Sequence, residues 1–351
     1  MDKKTAHRAF RQAVDFKNGS VEMAHGAGGK AMTQLIEQLF ISRFDNPILK
    51  QQNDQACVDI GTTKIVMATD SHVITPLFFP GGNIGSLAVH GTINDVVMSG
   101  ATPLYLSCAF IIEEGYPLSE LIKIVDAMAL AAKQAGVKIV TGDTKVVEKG
   151  NADGVYITTT GIGVVTDGIE RGADKVKAGD KIIISGTLGD HGVAIMSLRE
   201  NLTFTTTLES DSQSLDSLVN AMVTQIPEIN CMRDPTRGGL AAALNEIARQ
   251  ARLGMQLYET AIPIKEQVRA ACEFLGLDPL YVANEGKLIA FCPADKAEQL
   301  LAVMRAHPQG KDAAIIGQVF ADPNHFVQLQ SSFGGMRMVD WIGGEQLPRI
   351  C

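Results

Sequence analysis

The chain has 351 residues, 46% of them hydrophobic, and a formal net charge of −8. That length suits about two domains, each able to bury a core without covalent staples. The acidic balance with no long basic run argues against nucleic-acid binding, and no apolar run of about 20 residues is present to span a membrane.

Residues 1–20 are polar and read as an extension. HGAGGK at 25–30 is a glycine-rich loop, and Leu35, Ile36, Leu39 and Phe40 behind it recur at helical spacing. A strand is predicted over 64–68, ending at Thr69-Asp70. Gly81-Gly82-Asn83 then opens a helix through Leu87, Val89 and Val97. Residues 103–111 read as a buried strand and 118–136 as an Ala-rich helix stopped by Gly136. A strand over 137–140 runs into Thr141-Gly142-Asp143, and 155–165 is a strand rich in β-branched residues.

The polar stretch 168–179 reads as a boundary. A second α+β unit follows, with a strand over 182–184 and the turn SGTLGDHG at 185–192. Residues 203–217 are Ser/Thr-rich and read as a variable surface segment. DPTRGG at 234–239 leads into a helix over 240–251, and ANEGKL at 283–288 precedes a strand over 288–291. After Phe333-Gly334-Gly335 the chain becomes a tail that holds Gly343, Gly344 and Pro348 and closes on Cys351. The expected division is an extension (1–20), a first domain (21–168), an α+β domain (169–335) and a flexible tail (336–351).

The six cysteines, Cys57, Cys108, Cys231, Cys272, Cys292 and Cys351, form no CxxC pair. With no apolar signal core at the start, a reducing cytoplasmic setting without structural zinc is expected. Five of the six sit among apolar neighbours and read as small core residues. Cys351 is different: a thiol on a tail with glycine and proline can be loaded, swung into a pocket and unloaded.

Four aspartates, Asp54, Asp70, Asp95 and Asp143, stand at predicted strand or helix junctions. Singly, such residues are commonly turn or cap residues, but the set suits magnesium held on nucleotide phosphates. Gly26, Gly28 and Gly29 can present backbone N–H groups to phosphate at a helix start. The loop is not a Walker loop, because Ala24 and Ala31 replace the glycine and hydroxyl residue that pattern needs. Lys145, by itself more commonly a solvated surface lysine, can neutralise phosphate or act as a base. Glu285 is a candidate general base or a partner of Lys287. His191, beside Asp190, reads as a satisfied structural histidine.

HGAGGK, ATDSHVITPLFFPGGNIG at 68–85, GTINDVVMSGA at 91–101, TGDTKVV at 141–147, SGTLGDHG, DPTRGG, ANEGKL and a final PRIC together resemble the HypE family of hydrogenase maturation factors, in order over residues 21–351. That family lies in the aminoimidazole ribonucleotide synthetase-like superfamily. The resemblance implies a two-domain α+β fold: an N-terminal domain that dimerises and builds the ATP site, and a C-terminal α/β domain closing over it. It implies a carbamoyl group loaded onto Cys351 by the carbamoyltransferase HypF. ATP-dependent dehydration to a thiocyanate follows, and the cyano group passes to iron on the HypC–HypD complex, toward nickel–iron hydrogenase. By position, Asp54, Asp70, Asp95 and Asp143 become the Mg-ATP set, joined by the loop glycines, Asn94 and Arg237. Lys145 and Glu285 become the proton-transfer residues, with the principal base left open. Arg237 suits phosphate, the tail or equally a surface ion pair. Superfamily members often carry adjacent acids where this chain has Asn53-Asp54, one carboxylate fewer. Selenophosphate synthetase is disfavoured because HGAGGK holds no cysteine, and a metal chaperone built on Cys351 leaves the aspartates unexplained.

Overall fold

The computed structural model describes residues 14–166, 168–200, 208–341 and 349–351. Gly343, Gly344 and Pro348, on which the flexible-tail expectation rests, lie outside the described residues.

A short helix α1 (Lys30–Leu35) continues through a wider π-type stretch at Ile36–Ile41 into α2 (Ser42–Phe44). There follow β1 (Ala56–Ile60), β2 (Thr63–His72), β3 (Phe78–Phe79), β4 (Gly82–Asn83), α3 (Ile84–Val97), β5 (Thr102–Glu113), α4 (Leu118–Gln134), β6 (Lys138–Val147) and β7 (Val155–Val165). The five long strands form one sheet in the order β1-β2-β7-β5-β6. β5 and β6 are parallel, joined by α4 as the crossover helix, and the remaining pairs are antiparallel.

The predicted start of α3 is found where Asn83 caps it, its side chain accepting from Gly85 N and Ser86 N. α3 is buried almost all round because it is wedged between the sheet and α4. Glycines permit the close approach. A Cβ on Gly85 would lie 2.2 Å from Ile124 O of α4, and Cβ atoms on Gly161 and Gly163 would meet Val96 at 2.9 and 2.7 Å. On β7, Val155, Ile157, Thr159, Gly161 and Gly163 face α3, while Tyr156, Thr158, Thr160 and Ile162 alternate onto the other face. No helix of the described chain covers that second face, which exposes Met67, Tyr105, Ile111 and Ile162.

The second unit comprises β8 (Lys181–Ile184), α5 (Asp190–Arg199), α6 (Asp216–Gln225), β9 (Cys231–Arg233), α7 (Gly239–Ala251), β10 (Gly254–Tyr258), α8 (Glu266–Leu275), β11 (Ile289–Cys292), α9 (Ala297–Ala306), β12 (Ala314–Phe320), β13 (Val327–Gln330) and β14 (Met336–Met338). Its sheet runs β14-β13-β10-β12-β8-β11-β9. The central strands are buried on both faces. Ile183, Ala290 and Cys292 join a core shared with α3, α5 and α8, whereas Ile182, Ile184, Ile289 and Phe291 pack into a second core under α7. The architecture is the two-domain α+β fold read from the sequence. Among the described residues no helix is long and apolar enough to cross a membrane.

Three sequence expectations need correction. β2 runs on to His72 and β6 to Val147, so Asp70 and Asp143 sit inside strands and not at their ends; edge pairing with β7 and β5 extends both. Residues 208–215 are not simply a surface segment: Leu215 and the Asp211 side chain are buried, and the stretch is hydrogen-bonded into the junction between the two sheets. The five cysteines other than Cys351 are not all buried, because Cys57 is only half-covered.

Packing of α3 against α4 brings the two backbones close at Gly85. Gly85→Val should lower stability by roughly 2–3 kcal/mol. Gly26→Ala, where an added Cβ meets nothing within 4 Å, should stay within about 0.5 kcal/mol. Chemical denaturation of the two variants checks this.

Candidate active site

Three carboxylates meet where the two units join. Asp54 precedes β1, Asp95 lies on α3 and Asp234 follows β9, and one oxygen from each lies within 4.8 Å of the others. Arg233, on the fully buried β9, reaches Asp54 Oδ2 at 2.8 Å and Glu246 Oε2 at 2.8 Å. One guanidinium shared with Glu246 does not neutralise three acids. Burial, and then the neighbouring carboxylates, push Asp95 well above the usual range, and burial lifts Asp234 to about 6. Asp54 is raised as well, by burial first, despite Arg233. Hard oxygen donors at this spacing, short of positive charge, fit a divalent cation. Asp234 was missed in the sequence. Its only signal was its place in DPTRGG, between a strand and a helix.

The second half of the site surrounds Cys351. The thiol lies close to the buried Glu285 carboxyl and shares its pocket with Arg237. Burial first, then Asp70, Asp234 and Asp211, push Glu285 far above the ordinary carboxylate range. Burial also drives the thiol well up, with Arg237 opposing and Glu285 reinforcing the shift. Arg237 is held more firmly protonated by Cys351 and then by Asp70, Glu285 and Asp95. It approaches Asp70 Oδ1 at 3.7 Å, and Asp70 Oδ2 lies 3.3 Å from the buried His72 ring. Gly91 on α3 makes room here, since its Cβ would meet His72 Nε2, Asp70 Oδ2 and Glu285 Oε2 within 3.9 Å. His72 carried no signal in the sequence beyond its place in the motif.

Glu285 does not pair with Lys287. Lys287 instead binds Asp211 Oδ2 at 3.0 Å, and Asp211 Oδ1 accepts from Glu285 N at 3.1 Å. Burial raises the Asp211 carboxyl, but Lys287 and His191 more than offset it, and the group stays ionised below its usual value. Asn94 is occupied in a similar way. Its Nδ2 donates to Gln213 O and Glu285 O, and its Oδ1 accepts from Leu215 N at 2.8 Å. Its carboxamide therefore joins α3 to the Glu285 backbone. The glycine loop likewise has a packing role. Gly28 lies in the left-handed region at φ 73°, and its Cβ would sit 2.4 Å from Arg237 O. Gly26 borders the pocket that holds Cys351, and Gly29 caps α1.

Asp143 and Lys145 are not brought to this cluster within one chain. Asp143 pairs across the sheet with Ala109, then Thr158, then Ser71, all on the uncovered face. Asp70 pairs with the buried Thr159 and faces α3. Asp143 and Lys145 pair with each other at 3.1 Å in solvent, and Lys145 holds the Asp143 carboxyl low.

Residues 52–165 match the AIR synthase related protein N-terminal domain, and 177–330 match its C-terminal domain. Carbamoyl dehydratase HypE of Azotobacter vinelandii is 64% identical over 338 residues, spanning 96% of this chain and 99% of the relative. The chain belongs to the HypE family. Among solved structures, a HypE–HypF complex shares 48% identity at a TM-score of 0.84, covering 88% of this chain and 99% of that one. A HypE in complex with ATP shares 49% identity at a TM-score of 0.80, covering 95% and 100%. Within the family fold, Asp70 links the carboxylate cluster to the thiol pocket, since it repels Asp95 and Glu285 alike.

Because Asp234 has a folded value near 6 against 3.8, the folded protein binds more protons than the unfolded chain between those values. This group therefore favours folding at low pH, and that contribution is lost as pH rises through about 6. In cation-free protein, Asp234→Asn should flatten the pH dependence of the melting temperature over that window. Manganese should raise the melting temperature of the parent at pH 7 and leave the variant nearly unmoved.

Proposed function

We propose that this chain dehydrates a carbamoyl group carried on Cys351 to a thiocyanate at the expense of ATP, with Mg2+, for the cyanide ligand of nickel–iron hydrogenase. The observation that carries the reading is the Cys351 thiol set against Glu285 and Arg237, next to the Asp54, Asp95 and Asp234 carboxylates. A thiol about to attack has its pKa lowered, whereas this one is raised. The pocket therefore suits an already loaded sulfur, and loading by a carbamoyltransferase such as HypF belongs to an undocked tail. HypC–HypD is the acceptor on this reading, and the cytoplasm its setting.

The chemistry follows from the groups present. A carbamoyl oxygen leaves poorly; as a phosphate ester it leaves well, and both N–H protons must then be lost to form the nitrile. Glu285, buried and basic once ionised, is placed to take a proton from a group on the sulfur. Arg237 faces the same group and offsets charge developing on its oxygen. Asp54, Asp95 and Asp234 would hold the divalent cation, which supplies charge neutralisation during phosphoryl transfer. A pocket of about 370 Å3 adjoins Asp54, with Ile36, Ile41, Ile48 and Leu49 on one wall, and suits the nucleotide base.

Asp143 and Lys145 fit this reading in a homodimer. The uncovered sheet face, with Met67, Tyr105, Ile111 and Ile162 exposed, is a self-association surface. Closing two such faces together carries the Asp143–Lys145 pair toward the partner's site. Sedimentation should give a dimer, and Ile111→Glu should shift it to monomer.

Intact mass after incubation with the carbamoyltransferase, carbamoyl phosphate and Mg-ATP tests the reaction. Cys351→Ala should take no carbamoyl group yet bind ATP. Glu285→Gln, Asp95→Ala and Asp143→Ala should load and then fail to lose water, with rates down at least about a hundredfold. Full water loss in any of these variants removes that residue from the mechanism.

A further inference from the structure

Residues 349–351 lie antiparallel to residues 73–75. Val73 N donates to Cys351 O at 3.1 Å and Thr75 N to Arg349 O at 3.2 Å. Ile350 is only 3% exposed and packs into the shared core. Its carbonyl is met by His191 Nε2 at 2.7 Å, from the first turn of α5. The other ring nitrogen, Nδ1, lies 2.7 Å from Ser210 Oγ, which itself accepts from Ser212 N. A carbonyl only accepts, so Nε2 carries the hydrogen given to Ile350 O, and in the neutral ring Nδ1 accepts from the Ser210 hydroxyl. Phe79 packs edge-on against the ring at 5.6 Å. From the last turn of α5, Arg199 donates to Thr75 O at 2.7 Å and also to Arg349 O. The Arg349 guanidinium donates to Val73 O at 3.2 Å and pairs with Asp153.

The bonds that hold the tail itself are made to the main chain of 349–351 or by the Arg349 side chain, and none of them goes to sulfur. We propose that His191 and Arg199 are positioning residues that clamp the tail by its main chain, setting Cys351 against Glu285 whatever group the sulfur carries. The clamp rests on the reading of Cys351 as the carrier. It makes one helix, α5, the tail's receptor at both of its ends. The histidine that reads as structural is structural toward the tail. Ser210 and Asp211 then join the two tasks, since one orients His191 and the other holds Glu285.

The test is alkylation of Cys351 by N-ethylmaleimide in the full-length protein, read by mass on the peptide that contains it. His191→Leu removes the donor and should speed Cys351 modification about tenfold. His191→Gln keeps an amide donor there and should stay near the parent rate. Cys57 should react equally in all, which a general loosening would not allow. Should His191→Leu not fold, Arg349→Ala serves instead, because it removes only bonds made by the tail itself, and it should accelerate Cys351 too. Equal Cys351 rates in the parent and the folded variants overturn the clamp. His191-dependent protection without any carbamoyl adduct upholds the clamp while the carrier reading fails. Adduct and water loss with protection unchanged by His191→Leu do the reverse.

Discussion

Asp54, Asp70, Asp95, Asp234 and Glu285 crowd the junction of the two sheets against two guanidiniums, Arg233 and Arg237. Two unit charges about 4 Å apart interact by about 4 kcal/mol at an effective dielectric of 20. Such a cluster relaxes apart unless the backbone holds it. Here it is held by α3, wedged between sheet and helix, and by β9, which is buried along its length. The glycines at 85, 91, 161 and 163 are part of the same constraint, because each lets a neighbour approach where a side chain would force α3 outward. The cluster is therefore strained electrostatically and rigid mechanically, the combination that favours a bound cation.

The same crowding decides what the thiol can be. Near Arg237 alone Cys351 would drift toward thiolate; burial and the Glu285 carboxyl reverse this. On the proposed reading, the two halves of the chemistry are separated in space. The sulfur is a nucleophile where the tail is free and a passive tether where it is docked. The docked tail is held by carbonyls and by Ile350, groups that do not change when the sulfur is modified. Cargo chemistry and docking are thus carried by different atoms.

A bulge in the first sheet has an outsized effect. Between Leu106 and Ser107 of β5 the pairing with β6 skips Val140. Since alternate strand residues face opposite sides, that extra residue turns Asp143 and Lys145 from the α3 face to the uncovered face. Within one chain they are a solvent ion pair of small energetic consequence. Any role in catalysis then depends on a second surface meeting that face.

Much was readable from the chain alone. The motif strings carried the family and the two-unit organisation, and hydrophobic periodicity located most helices and strands. The types of residue needed for phosphate and proton chemistry were legible because local spacing carries backbone chemistry. Glu285, Asp54 and Asp95 were singled out this way, and the fold gathers them at the junction of the two sheets. What the tertiary structure decided was who faces whom. Asp234 sat beside a proline at a helix start, and Asp211 lay in a Ser/Thr-rich stretch that gave no sign of burial. Asn94 looked like a ligand until its amide was seen spent on three backbone groups. Asp143 was read at a strand end, whereas it lies within β6, on a face that only strand register could set. His191 read correctly as structural, yet its partner lies 159 residues away. Burial, charge repulsion and register act through space, between segments distant in the chain, and no local pattern records them.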